Sequence, residues 1–288
     1  MKIRYLLLPL LLLFSALSTA WAAGPVWRIS KGDAELYLGG TIHVLGRADY
    51  PLPAVFDQAY AKAAKLVLET DLDQVKSSEF QQRMLQGMLL PDGRTLRDLL
   101  RPKTLSAVAA FLDARDMKLE PLLQFKPAML DLVLTMGELR RLGLDEAGVD
   151  QFFQQRANDD HKELGGLESI DVQLAVLTGM GEGNEDAMIN YTLGELKRLP
   201  ELIQGLKAAW RRGDNAAMAR LALTPWQRDF PGVYQELLVK RNRAWLPRIE
   251  ALLRTPEVEM VLVGALHLVG RDGLLQQLAD RGYTVEQL

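Results

Sequence analysis

Short apolar runs lie at both ends of the chain, and their pattern predicts β-strands there. Residues 26–30 and 35–39 flank a short polar connection of turn-type residues and predict a hairpin. Residues 65–69 and Glu259–Gly264 have unbroken apolar centres, which are typical of strands buried on both faces. Residues 283–287 predict a last strand.

Helical periodicity dominates the middle of the chain, from about residue 77 to residue 255. The predicted helices there span 78–90, 103–115, 121–142, 149–157, 171–177, 185–199 and 233–253. Two more, at 52–64 and 272–281, adjoin the predicted strands. We therefore expect an α/β fold with a mixed sheet built from both chain ends and a long helical insertion between them. No linker rich in Pro, Ser or Gly interrupts residues 23–288, which predicts a single domain.

The first residues have the pattern of a secretory signal. Lys2 and Arg4 precede a 13-residue apolar run at 5–17, and the A-x-A sequence at 20–22 suits signal peptidase. The run is too short to span a bilayer comfortably, so a retained N-terminal anchor is the weaker alternative. The sequence therefore predicts a signal peptide over residues 1–22 and a periplasmic or secreted protein without a stable membrane span after cleavage.

Composition and charge exclude several classes of function. The 288 residues are 48% hydrophobic and 25% charged with a net charge of −3, so no basic surface suggests nucleic-acid binding. The chain has no Cys, which excludes disulfides, thiolate metal sites and cysteine catalysis. The G-x-S-x-G, H-E-x-x-H and Walker sequences are also missing, which removes three common classes of enzyme.

Two of the three histidines share the same local sequence. Residues 40–47 read GTIHVLGR and residues 264–271 read GALHLVGR, so the glycines, the histidine and the arginine match. Glycines are expected at any turn from a strand into a helix, but a histidine inside both turns is not. The third histidine, His161, lies in a polar stretch that predicts a surface loop.

The two repeated histidines, His43 and His267, each follow a predicted strand, and Glu69 ends another. Ligands in open α/β sheets bind beyond the carboxyl ends of the strands, so we expect these three side chains to share one cavity. Two imidazoles and a carboxylate suit Mn, Co, Zn or Fe(II) with positions open for water and substrate. They equally suit metal-free hydrolysis, with His as general base and Glu as its orienting or acid partner.

The ordered set of motifs resembles the TraB/PrgY/GumN family, the bacterial relatives of the Tiki metalloproteases. The resemblance covers most of the chain after the signal. It rests on GTIH at 40–43, LETD at 68–71, GVD at 148–150, GLES at 166–169 followed by Gln173, RN at 241–242 and GALHLVG at 264–270. Tiki-like members imply a metal-dependent protease site built from the G-x-x-H motifs and acidic residues. The wider superfamily, which includes erythromycin-esterase-like and ChaN-like folds, implies a hydrolase.

The resemblance also implies site roles for residues with ordinary local explanations. Asp150 is equally a helix N-cap, and Glu168 could serve only to favour a helix dipole. Arg241 and Asn242 lie in a charged stretch whose default is a solvated face; the resemblance makes them candidate clamps for a substrate carboxylate. We therefore count Asp150, Arg241 and Asn242 as candidate substrate-binding residues and Glu168 as a candidate catalytic base.

Three hypotheses for function follow. The first is an exported metal-dependent peptidase acting on a peptide or envelope substrate, with His43, Glu69 and His267 as ligands. The second is a metal-free esterase-type hydrolase using the same residues. The third is a non-catalytic protein that sequesters a peptide in the same cleft.

Export gives the first testable prediction. The signal pattern predicts cleavage after Ala22 and a mature protein that begins at Ala23. Mass spectrometry of protein recovered from the periplasmic fraction checks the mass of the N-terminal peptide. An intact N-terminus on membrane-bound material would contradict the prediction.

Overall fold

The computed structural model describes residues 24–91 and 93–288, so the predicted signal peptide lies outside the described residues. Over the described residues the strands are β1 Val26–Lys31, β2 Ala34–Thr41, β3 Val44–Leu45, β4 Lys65–Leu68, β5 Glu146–Ala147, β6 Glu163–Gly166, β7 Glu259–Gly264 and β8 Thr284–Gln287. The helices there are α1 Ala54–Lys62, α2 Leu72–Val75, α3 Ser78–Gly87, α4 Pro102–Asp113, α5 Pro127–Arg141, α6 Val149–Asp159, α7 Ile170–Thr178, α8 Glu185–Arg211, α9 Asn215–Met218, α10 Thr224–Asp229, α11 Pro231–Tyr234, α12 Lys240–Leu252 and α13 Leu274–Asp280.

A mixed six-stranded sheet in the order β6-β4-β7-β2-β1-β8 forms the centre of the molecule. The four strands β6, β4, β7 and β2 run parallel, while β1 pairs antiparallel with both β2 and β8. The middle of β7 is fully buried, as expected for a strand covered on both faces. The predicted fold class, a mixed sheet from both chain ends with a long helical section between them, is confirmed.

Two hydrophobic clusters share one long helix. The larger packs on the sheet and includes Trp210 at the end of α8, and the smaller lies among α4, α5 and the start of α8. Because α8 enters both clusters, it fixes the helical section relative to the sheet. Across the described residues, no helix combines the length and apolarity needed to cross a membrane.

Several predicted boundaries in the helical section are wrong. The helix predicted at 121–142 begins only at Pro127, because the residue before a proline is driven out of the helical region. The helix predicted to end at residue 199 continues through Pro200 to Arg211. The one predicted at 233–253 is divided by a π-helical turn at Gln235–Val239.

The strand β6 was not predicted and supplies one edge of the sheet. Its sequence, ELGG, contains a single large apolar residue, so it lacks the local signature of a buried strand. Its backbone nevertheless pairs in parallel with β4 over four residues, and tertiary context decides its conformation.

Gly148 joins α6 to the first G-x-x-H turn. The amide of Val149 donates to the carbonyl oxygen of Ile42 at 3.1 Å. A Cβ atom built on Gly148 would lie 2.3 Å from the carbonyl carbon and oxygen of His43, closer than any side chain tolerates. Glycine is therefore required here so that α6 can approach the turn that carries His43.

We expect Gly148→Ala to lower the free energy of unfolding by about 1–3 kcal/mol, the usual cost of forcing extra volume into a packed site. Thermal unfolding followed by circular dichroism measures the change. Gly137→Ala in α5 is the matched control: a Cβ there meets nothing within 4 Å, so the variant should be neutral or more stable by up to about 1 kcal/mol. Equal melting temperatures for the two variants would contradict the prediction.

Candidate functional site

Each of the four parallel strands delivers one candidate side chain to the same edge of the sheet. His43 follows β2, His267 follows β7, Glu69 follows β4 and Glu168 follows β6. The register pairs Thr41 at the end of β2 with Gly264 at the end of β7, which aligns the two G-x-x-H turns. The amide of Glu168 donates to the carbonyl oxygen of Glu69 at 2.9 Å, which aligns the two acidic residues.

Three of these side chains converge above Gly264. A Cβ atom built on Gly264 would lie 3.3 Å from His43 Nε2, 3.3 Å from Glu69 Oε1 and 3.6 Å from His267 Cδ2. The absence of a side chain at Gly264 therefore leaves a small group access to both the imidazole and the carboxylate. These distances confirm that His43, Glu69 and His267 lie close together at one edge of the sheet, but the single cavity that we expected is wrong: Glu69 and His267 line two different cavities, which meet at His43.

Arg241 binds the two glutamates together. Its Nη2 donates to Glu69 Oε2 at 2.5 Å and to Glu168 Oε1 at 2.7 Å, and its Nε donates to Glu168 Oε2 at 3.1 Å. Gln173 accepts from Nη2 at 3.2 Å, and the indole of Trp245 donates to Glu168 Oε2 at 2.9 Å. The Arg241 side chain is only 10% exposed, so this is a buried ion-pair network.

The partners of both histidines fix their tautomers. His43 Nδ1 lies 3.2 Å from a carboxylate oxygen of Asp150, which can only accept, so Nδ1 carries the proton. The amide nitrogen of Asn242 donates to the carbonyl oxygens of His267 and Asp272. The Asn242 Oδ1 therefore faces His267 Nδ1 at 2.7 Å, which makes that nitrogen the donor as well. In the neutral form, both Nε2 atoms are proton acceptors.

The two histidines differ in electrostatic environment. The Asp150 carboxylate raises the pKa of His43 to about 9, against the opposing effect of desolvation. Burial lowers the pKa of His267 to about 3, and the Arg241 cation, 3.3 Å from its Nε2, acts in the same direction. Burial alone would raise the pKa of Glu69, but the neighbouring His267, Arg241 and His43 side chains and the Gly264 amide lower it to about 2.

The local explanations for the remaining candidates are wrong. Asp150 does not cap α6, which begins at Val149 with Gly148 as N-cap; it lies in the first turn and contacts His43. Glu168 is not a dipole residue, since Ser169 caps α7 and Glu168 is buried against Arg241 and Trp245. Arg241 and Asn242 do not face solvent. Although their stretch of α12 is rich in charged residues, one face of the helix packs inward, and both side chains lie on that face.

The same contacts limit the catalytic and binding roles of Glu168, Asn242 and Arg241. Glu168 accepts three hydrogen bonds from Arg241 and Trp245, which occupy most of its lone pairs and stabilise the ionised carboxylate, so it is poorly suited to act as a general base. Every polar group of the Asn242 side chain is engaged by His267 or Asp272. The donors of Arg241 point at protein acceptors rather than outward. Trp245 and Gln173 were not predicted as partners in the Arg241 network, although Gln173 is one of the motif residues.

The three predicted metal ligands do not fit a metal centre as their side chains stand. Each oxygen of Glu69 already accepts one hydrogen bond, Oε2 from Arg241 and Oε1 from the Gly264 amide at 2.7 Å, so a metal ion would compete with the Arg241 cation for this carboxylate. His267 Nε2 lies 3.3 Å from the cationic Arg241, a position that a metal ion would share only against charge repulsion. Among the residues that the structure describes, no group of three or more His, Cys, Asp or Glu side chains is spaced to hold a metal ion.

Two cavities adjoin His43. One, of about 150 Å³, contains Glu69, Asp150 and Gln173 in its wall, together with the buried hydroxyls of Thr41 and Thr70, which have no hydrogen-bond partner. The other, of about 320 Å³, is lined by His43, His267 and Arg241 on one side and by apolar side chains of the helical section on the other. His43 thus lies between a small cavity with polar groups and a larger apolar one.

Comparison with known proteins identifies the family of this chain. A family model described as the TraB/PrgY/gumN family matches residues 25–287. The chain belongs to the TraB/PrgY/gumN family. No curated protein and no solved structure gives a significant match. The matched region contains both G-x-x-H motifs of this TraB/PrgY/gumN family member and all seven candidate site residues.

We expect the imidazole signals of this family member to titrate far apart in NMR spectra. His43 should gain its proton near pH 9, whereas His267 should stay neutral from pH 8 down to the onset of acid unfolding. Asp150→Asn should move the pKa of His43 down toward its ordinary value of about 6.5, because the carboxylate that stabilises the imidazolium is removed. His161→Gln assigns the third signal. An Asp150→Asn variant with an unchanged His43 titration would contradict the assigned pair.

Proposed function

We propose that this chain is an exported hydrolase that cleaves an amide or ester bond in a peptide or cell-envelope substrate. The observation that supports this best is the shared approach of His43 Nε2 and Glu69 Oε1 above Gly264. A general base and a fixed carboxylate that face one point can activate and orient a single water molecule. The signal-like residues 1–22 support the periplasm as the location.

His43 is the general base of the proposed reaction. Its Nε2 takes a proton from the water while the water oxygen adds to the carbonyl carbon of the substrate. The imidazolium then returns that proton to the leaving amine or alcohol as the bond to the carbonyl carbon breaks. Asp150 holds the ring in the required tautomer and stabilises the imidazolium, and 59% of the His43 side chain is exposed, so substrate can reach it.

Glu69 Oε1 accepts a hydrogen bond from the second O–H group of the water, in addition to the one from the Gly264 amide, and keeps the water oxygen directed at the substrate. It stays ionised across the physiological range because its pKa is about 2. Arg241 holds Glu69 in place, and His267, Glu168 and Asn242 are positioning residues around Arg241 and the second G-x-x-H turn. This division gives each candidate residue a defined task without a metal ion.

The metal-dependent peptidase stays a prediction. A direct measurement distinguishes it from the metal-free reaction described above. Metal analysis of the purified chain, followed by assay after chelation, distinguishes the two. Full activity of the metal-free protein supports the proposal. Stoichiometric Mn, Co, Zn or Fe, with activity lost on chelation and restored by the metal, would replace it with the metal-dependent hypothesis.

Single substitutions should separate activity from stability. We expect His43→Ala and Glu69→Gln to lower kcat/KM for the hydrolysis of a synthetic peptide or ester mixture by about 100-fold or more, the usual contribution of general acid–base catalysis. Gly264→Ala should have a similar effect, because its methyl group would lie between His43 Nε2 and Glu69 Oε1. In wild type, kcat/KM should rise with pH toward about 9, since His43 must lose its proton to act as a base.

His161→Ala is the matched control, because His161 lies in an exposed turn outside both cavities. It should retain activity, and all four variants should be folded at the assay temperature, although Glu69→Gln should melt below wild type because it removes one carboxylate from the Arg241 ion-pair network. Unfolding of the site variants at the assay temperature would make these residues structural. Peptide binding by wild type without cleavage would favour the sequestering protein instead.

A further inference from the structure

One wall of the apolar cavity beside His43 is built from helical residues that the proposed reaction does not use. Ile203 and Leu206 of α8 line it, together with Met218, Trp226 and Leu237. Ile203 and Leu206 are half-buried and belong to neither hydrophobic cluster, so their apolar surface faces the cavity rather than a core. An apolar wall next to reactive polar groups is the usual form of a substrate pocket.

Two π-helical turns border this cavity. Met218 comes directly before the turn at Ala219–Leu223, and Leu237 and Leu238 lie inside the turn at Gln235–Val239. Each π turn inserts one residue into a helix and shifts the side chains that follow out of α-helical register. Such turns are frequent at functional sites, which supports a binding role for this wall.

The charge and size of the cavity restrict what it can hold. Among the described residues that line it, the charged groups are Arg241 and the protonated His43 and none is a carboxylate, so a Lys or Arg side chain has no counter-ion there. An apolar cavity of about 150 Å³ accommodates a benzene-sized molecule. A cavity of about 320 Å³ has room for a large aromatic or branched aliphatic side chain.

We propose that this cavity is the specificity pocket of the enzyme and takes a bulky apolar side chain of the substrate, adjacent to the bond that is cleaved. The inference rests on the proposed function. The two cavities adjoin each other, because His43 and Thr41 line both. An apolar substrate side chain in the larger cavity therefore places the adjacent backbone carbonyl of the substrate beside His43 Nε2. The substrate class is therefore a peptide with Phe, Leu or a similar residue at the cleavage site.

A set of short peptides that differ only at one central residue tests the pocket. With Phe, Leu, Ala, Lys and Glu at that position, mass spectrometry measures cleavage and ligand-detected NMR measures binding. We expect kcat/KM for Phe and Leu to exceed that for Ala, Lys and Glu by at least about 10-fold, since even one methylene in such a pocket discriminates by that factor.

Two neighbouring substitutions in α8 provide the matched comparison. Ile203→Trp fills the pocket and should reduce the preference for Phe over Ala by about 10-fold or more. Leu202→Trp makes the same change in a half-buried residue that lines neither cavity, and it should leave the preference unchanged. Equal cleavage of all five peptides, or equal effects of the two variants, would overturn the inference while leaving hydrolysis intact.

The binding measurement separates this inference from the proposed function. If no peptide is cleaved but the Phe peptide binds selectively and Ile203→Trp abolishes that binding, the hydrolase proposal fails and the pocket stands. If no peptide is cleaved and none binds selectively, both fail.

Discussion

The buried guanidinium of Arg241 is the interaction on which the site depends. The parallel strands β4 and β6 end side by side, and each delivers a largely buried glutamate to the Arg241 guanidinium. Two carboxylates so close together would repel each other strongly without a cation between them. Removing one partner from a buried ion pair typically costs about 3–5 kcal/mol, because the remaining charge has left water without compensation. Arg241 therefore makes it possible for the strand ends to carry acidic groups at all.

Burial and neighbouring charges separate the chemistry of two histidines that share one local sequence. His267 is buried next to Arg241 and is kept neutral, whereas His43 is exposed beside Asp150 and is kept protonated up to high pH. The repeated G-x-x-H motif thus supplies the same backbone turn twice, while the neighbours brought in by α6 and α12 decide what each imidazole does. A sequence repeat here duplicates geometry but not function.

The elements that follow local rules could be predicted from the sequence. The hairpin of β1 and β2, the buried strand β7 and the convergence of His43, Glu69 and His267 follow from apolar runs and from the rule that parallel strands end together. Strand β6 could not be predicted, because its pairing with β4 rather than its own residues makes it a strand. Arg241 and Asn242 stand in a charged stretch whose burial depends on contacts with residues from distant parts of the chain. The contact between Asp150 and His43 could not be predicted for the same reason, because the two residues are 107 positions apart in the sequence.

The two ends of the described chain are hydrogen-bonded to each other. The amide of Gly24 donates to the carbonyl oxygen of Leu288 at 2.7 Å, and β1 lies between β2 and β8 in the sheet. Strand β7 and the turn that carries His267 also come late in the chain. A growing polypeptide that lacks the segment from Glu259 onward can therefore form neither the central strand of the sheet nor half of the site. The architecture and the reactive groups therefore form together, once the segment from Glu259 onward has paired with the earlier strands.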